Sequence, residues 1–355
     1  KAGLKGELQR WDWSYYSNKL MQEKYALDDE MLKPYFKLEN VQKGVFDLAT
    51  RLYGITFKEV NNIPLYHPEV KTYEVYDNDG SFLAVLYTDF FPRESKGGGA
   101  WMTQFRGQKM VNGKDQRPLV SLVMNFTKPT DTKPSLLTFN EVTTFLHEFG
   151  HALHGMFSKC TYGSTSMDGV SRDFVELPSQ FMENYALEKE WLDTWAVHYQ
   201  TGEKIPQEYI DKIKKSSNFQ AGYASDRQLS FGMVDMAWHT ITEPVTEPLV
   251  DFEQRAMGKT EIMPLVKGSA FSPAFGHIFA GGYAAGYYGY KWAEVLDADA
   301  FSLFKQNGIF DKATAESFRR NVLEKGASEN PMTLYKRFRG QEPTVDALLE
   351  RSGLK

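Results

Sequence analysis

The residues TFNEVTTFLHEFGHALHGMF, at 138–157, leave the chain little choice but one long helix carrying two stacked imidazoles. Thr138 and Glu141 have the spacing of a capping box, in which each side chain satisfies the other's free amide. The helix is expected to run from there to about Phe157. At about 3.6 residues per turn, His147 and His151 then stand one above the other on a single face. Two imidazoles so placed can share one ion. Glu148, next to them, can reach a water at that ion without being a ligand itself.

A helix with two partly buried histidines would be the plainer reading, and a third ligand decides between them. A catalytic zinc takes three protein ligands and keeps a position open. His154 shares the face but lies nearly two turns from His147, so it reads as packing or as support behind the ligands. Glu176, in DFVELPSQ, is the better third ligand, with a helix expected to follow to about Glu190. Glu183 falls seven residues later on the same face, where it can hold the outer N–H of a ligating histidine. His147, His151 and Glu176 as ligands, with Glu148 as general base, is the HExxH logic of metal-assisted amide hydrolysis.

The surrounding sequence reads as mainly α with one small β-sheet. Val41, Val45, Leu48, Ala49 and Leu52 recur at helical spacing, and helices are expected over 1–57. The sheet is expected within 66–126. Thr72–Tyr76 and Ser81–Phe91 flank Asp77-Asn78-Asp79-Gly80, a hairpin signal, and Gly99–Arg106 and Leu119–Phe126 are further strands. The motif helix covers 138–157 and a helical part 172–355, with breaks at Gly163–Gly169, Glu243–Glu247 and Pro264–Gly282. The whole chain, 1–355, is read as one catalytic domain.

Hydrophobic residues make up 42% of the chain, enough for a sizeable core. A net charge of -5 argues against nucleic acid as a partner. The single cysteine, Cys160, excludes an internal disulfide framework and fits a reducing, cytoplasmic setting. No signal peptide is visible in Lys1–Arg10. Gly268–Tyr290 carries no Asp, Glu, Lys or Arg, yet its glycines, Pro273, His277 and tyrosines lack the aliphatic density of a membrane span.

That same stretch contains FGHIFAGGYAAGYYGYKW, at 275–292. Gly281-Gly282 should break the chain direction, and a helix is expected from Tyr283. Tyr283, Tyr287 and Tyr290 would then share one face. An aromatic stripe at this spacing usually belongs to a core, but buried tyrosine hydroxyls need partners. Together with His277 they suit the lining of a polar cleft, where such donors could stabilise an oxyanion.

HEFGH at 147–151, DFVELPSQ at 173–180 and HIFAGGYAAGYYGY at 277–290 together resemble the thimet oligopeptidase family of zinc peptidases, most of all its peptidyl-dipeptidase branch. KGGGAWMTQF at 96–105, MNFTKP at 124–129 and LYKRFRGQEP at 334–343 fit as well. The resemblance implies a helical ellipsoid of two lobes, with one Zn2+ on the floor of a deep channel that admits short unstructured peptides. It assigns His147, His151 and Glu176 as ligands and Glu148 as base. It assigns His277, Tyr283 and Tyr290 to the substrate or transition state. It also implies that this chain is the C-terminal catalytic part, without the N-terminal half that supplies much of one lobe.

Three functions follow as expectations. The first is release of dipeptides from a free C-terminus, with Arg172 a candidate for the terminal carboxylate. The second is internal cleavage of short peptides, and the third is peptide binding without catalysis. In all three, the strand beginning Gly99-Ala100-Trp101 is expected to pair with the substrate backbone, and Tyr287 joins Tyr283 as a substrate contact.

Overall fold

A computed structural model describes residues 3, 5–263 and 266–355. The first positions of the expected N-terminal helices and Pro264, where a break was expected, lie outside the described residues. The chain forms two compact units: Lys1–Asp28 with Asp211–Trp292, and Asp29–Ile210 with Ala293–Lys355.

The larger unit is built on a five-stranded sheet. Its strands are β1 (Thr56–Val60), β2 (Lys71–Tyr76), β3 (Phe82–Asp89), β4 (Trp101–Arg106) and β7 (Leu119–Val123), in the order β1-β2-β3-β7-β4. Only β3 and β7 run parallel. The expected hairpin is β2–β3. Its turn closes by Asp77 N donating to Ser81 O at 2.8 Å, with Gly80 at φ +81°, where a Cβ would be strained.

Two sheet elements differ from expectation. Thr56–Val60 was expected to continue the N-terminal helices to Phe57, but it is strand β1, and the sheet starts well before residue 66. The preceding helix, Leu38–Tyr53, stops at Gly54, whose φ of +76° ends it in a left-handed cap. The Thr-Phe-Lys-Glu-Val that follows then pairs along β2. A second, two-stranded sheet, β5 (Lys109–Val111) with β6 (Lys114–Gln116), was not anticipated. Its turn is Asn112-Gly113, both at positive φ, which is the strongest short-range hairpin signal a sequence offers.

The motif helix spans Phe139–Phe157, and both halves of the Thr138/Glu141 capping box form, at 3.1 and 2.8 Å. Phe145, Leu146, Phe149, Ala152 and Met156 are all fully buried. Phe145 meets the rings of Phe90 and Phe126, and Phe149 those of Phe46 and Phe57. A helix apolar on so many sides belongs inside a core, and its polar groups need partners or a function.

The helix after Glu176 is shorter than expected. It spans Leu177–Glu183, tightens into a 3-10 turn at Asn184–Leu187, and a separate turn of helix follows at Lys189–Leu192. Asn184 Nδ2 donates back to the carbonyls of Gln180 and Phe181, both at 3.1 Å, and this local bonding competes with the helical ladder.

The smaller unit includes the helices Trp13–Tyr25, Ala221–His239 and Leu249–Met257. Val234, Met257, Phe275, Ile278 and Tyr287 form a buried cluster there, flanked by Phe231 and Trp238. No helix among the described residues is long and apolar enough to cross a membrane.

Candidate metal centre

Three potential ligand atoms converge in the larger unit. His147, His151 and Glu176 each offer one, all within 4.8 Å of one another. Glu176 Oε2 lies 3.2 Å from His147 Nε2 and 3.1 Å from His151 Nε2. Ligand bonds of about 2.0–2.2 Å at tetrahedral angles place neighbouring ligand atoms roughly 3.3–3.5 Å apart, so the cluster already has the scale of such a site. Two imidazoles and one carboxylate form a donor set suited to zinc, and the residues fit the group.

Each ligand is placed by a separate cause. Helical periodicity stacks His147 and His151, whose ring centroids are 5.0 Å apart. Glu176 comes from the residue just before the Leu177–Glu183 helix, and that turn lies hard against the motif helix at Gly150. A Cβ on Gly150 would stand 2.3 Å from Pro178 O and 2.6 Å from Ser179 Cα. Only glycine permits that approach. Ser179 Oγ sits 2.8 Å from Glu176 Oε2.

Glu183 lies where the sequence suggested, with Oε1 accepting from His147 Nδ1 at 2.7 Å. Burial disfavours the charged form of His147, but the Glu176 and Glu183 carboxylates outweigh it and hold its pKa well above the ordinary value. Burial acts on Glu176 as well, yet His151 and His147 hold its carboxyl well below the usual range. Glu148 is 6% exposed, and burial pushes its pKa up. His147, His151 and the backbone amide of Met102, on β4, pull it the other way. His154 is fully buried, neither ring nitrogen has a hydrogen-bond partner, and burial depresses its pKa to about 3.

The motif helix packs beside β4, at one end of the strand order. Among the described residues β4 is the terminal strand and pairs with β7 alone, leaving its other side open. Gly99, Ala100 and Trp101 lead into it, with Gly99 at φ +87°. Asn125, from MNFTKP, donates to the carbonyls of Gly97 at 2.9 Å and Gly99 at 2.7 Å. Arg172 is exposed.

His277, Tyr283, Tyr287 and Tyr290 belong to the smaller unit. Tyr283 and Tyr290 stack at 5.1 Å, and His277 lies 6.0 and 6.3 Å from their ring centroids. Tyr287 is in the buried cluster, and its hydroxyl donates to Gln228 Oε1 at 3.0 Å. The helix expected from Tyr283 begins only at Gly289. The buried Asp235 carboxylate accepts the amides of Ala285 and Tyr287, both at 2.9 Å. The Tyr287 amide is therefore bonded outside any helical ladder, and Ala285, at φ +50°, is left-handed. Upstream, the buried Glu253 accepts the amides of Phe271 and Ser272.

Four residues that organise these sites escaped the sequence reading: Gly150, Ser179, Asp235 and Glu253. Ser179, three residues after Glu176, has a spacing at which a hydroxyl can turn back on a carboxylate, so a local signal existed. Asp235 lies 50 residues from Ala285, and no local pattern marks that pairing.

Oligopeptidase A of Escherichia coli (strain K12) is 45% identical over 98% of this chain and 52% of its own length. Dipeptidyl carboxypeptidase of Salmonella typhimurium is 43% identical over 98% of this chain and 51% of its own length. The chain thus spans about half the length of the curated relatives it matches. Among solved structures, an M32 carboxypeptidase from Deinococcus radiodurans R1 superposes with a TM-score of 0.53 over 96% of this chain and 66% of that one; at 16% identity this bears on the fold alone. The model of Peptidase family M3 matches residues 1–354, and with these identities it settles that the chain belongs to that family.

Proposed function

We propose that this chain is the zinc-holding catalytic part of a peptidase that hydrolyses short unstructured peptides. The observation that carries this reading is the convergence of His147, His151 and Glu176 beside a buried Glu148. One Zn2+ held there would polarise the scissile carbonyl and lower the pKa of water toward about 7. Glu148 takes one proton from the attacking water and passes it to the amine nitrogen as the C–N bond breaks. Its raised pKa suits that exchange, since a base works best with a pKa near the operating pH. Glu183 holds His147 in the tautomer that leaves Nε2 free.

The free edge of β4, entered through Gly99, Ala100 and Trp101, is proposed to pair with the substrate backbone. Backbone pairing is indifferent to side chains and gives loose sequence preference. His277 and Tyr290 are proposed as donors to the tetrahedral oxyanion, and Tyr283 and Tyr287 as substrate contacts. These roles rest on the family resemblance and on the clustering of the rings. The absent N-terminal lobe is proposed as a partner, and a cytoplasmic setting belongs to the same reading.

The mode we propose is release of dipeptides from a free C-terminus, as the name of the dipeptidyl carboxypeptidase relative describes for that protein. Identity of 45% to oligopeptidase A favours a second reading, internal cleavage of short peptides. The test is incubation of the zinc-supplied chain with an unmodified nonapeptide and its C-terminal amide, with products read by mass spectrometry. Stepwise loss of dipeptides from the free acid alone supports the first mode. Equal cleavage of both peptides at internal bonds supports the second. No cleavage with zinc bound means that the N-terminal lobe is needed to build the channel, or that this chain only binds peptide.

A further inference from the structure

We infer that Ser179 is a positioning residue for the metal: its hydroxyl selects which oxygen of Glu176 faces the two histidines. The inference rests on the zinc reading proposed above. Ser179 is completely buried. Its Oγ lies 2.8 Å from Glu176 Oε2 and 2.9 Å from Glu176 O. The same Oε2 is the atom that stands 3.2 Å from His147 Nε2 and 3.1 Å from His151 Nε2. One carboxylate oxygen therefore meets both imidazoles and the hydroxyl.

This matters because a carboxylate has two equivalent oxygens and turns about a broad, nearly two-fold terminal torsion. Left alone, Glu176 could present either oxygen, or both. A side-chain hydroxyl donor on the helix that follows breaks that equivalence and holds the group in a single-oxygen pose. The donor is itself fixed, because the Pro178-Ser179 backbone lies in the space where a side chain on Gly150 would be. The glycine between the two histidines thus locks the Glu176–Ser179 turn to the helix that carries them. The three ligands are positioned as one piece.

The test is zinc affinity of the whole chain, measured by competition with a chromophoric chelator. The cobalt(II) spectrum and the metal-free melting temperature are recorded alongside. Ser179→Ala should bind zinc about 10- to 100-fold more weakly, the loss typical when a ligand's outer partner is removed, and should alter the cobalt spectrum. Ser179→Thr, which keeps the hydroxyl, should recover most of the affinity. Should Ser179→Ala fold poorly, Ser179→Cys keeps the volume with a much weaker donor and should show the same loss. Unchanged affinity and spectrum in a folded Ala or Cys variant overturn the inference while the zinc reading stands. A wild-type chain that binds no zinc, or binds it as tightly after His147→Ala, overturns both.

Discussion

Buried carboxylates organise both the metal cluster and the tyrosine segment, yet by opposite means. In the cluster, side chains converge because regular elements bring them together. His147 and His151 ride on one buried helix, and Glu176 on a turn pressed against it through Gly150. In the tyrosine segment the backbone is irregular, and buried carboxylates grip it by its amides: Asp235 at Ala285 and Tyr287, and Glu253 at Phe271 and Ser272. The first arrangement puts its charges where a ligand can use them. The second uses its charges to hold a shape, in which the rings of His277, Tyr283 and Tyr290 cluster. Removing a polar group from the first should therefore cost function, and removing one from the second should cost stability.

The sharpest break in this contrast is Glu148→Ala. It should lower kcat by about 10³- to 10⁴-fold, the upper range for general acid–base catalysis, with bound zinc unchanged by metal analysis. Retained turnover would remove Glu148 from its proposed role. Tyr290→Phe comes next. Loss of an oxyanion donor should lower kcat by about 10²-fold with little change in KM, measured under steady-state conditions. A change in KM alone would make Tyr290 a ground-state contact.

Asp235→Ala should do the reverse of Glu148→Ala. Two amides, that of Tyr287 buried, lose a charged acceptor, so stability should fall by about 2–3 kcal/mol in denaturant unfolding, while zinc affinity stays as in the wild type. If zinc affinity fell instead, the two regions would not be energetically separate.

The smallest effect concerns acid. His154 is held neutral in the folded chain, with a pKa depressed to about 3 from 6.5. Between those values the unfolded chain binds a proton that the folded chain refuses. Its contribution is therefore present above about pH 6.5 and lost as the pH falls toward 3. His154→Leu should flatten the fall in melting temperature across that window. An unchanged slope would assign the acid sensitivity to other groups.

These differences also explain what could be read in advance. The motif helix, its capping box and the stacking of His147 and His151 were legible because they are local, set by spacing within a few residues. Glu183 was legible for the same reason, through helical phase from Glu176. The Asn112-Gly113 hairpin was equally local and was simply passed over. The helix expected from Tyr283 failed because its spacing is real but Asp235, distant in sequence, takes the amides a helix would need. The helix after Glu176 ended early because the Asn184 side chain competes for its carbonyls.

By itself, then, the sequence determined which residues are candidates for ligands and base and which elements carry them, because hydrogen-bond spacing and side-chain periodicity act over one or two turns. Only the tertiary structure decided that the Glu176 turn closes on Gly150, that β4 is left as an open edge beside Glu148, and that buried carboxylates shape the tyrosine segment. Each of those depends on groups far apart in the chain, and only packing brings them within reach of a hydrogen bond.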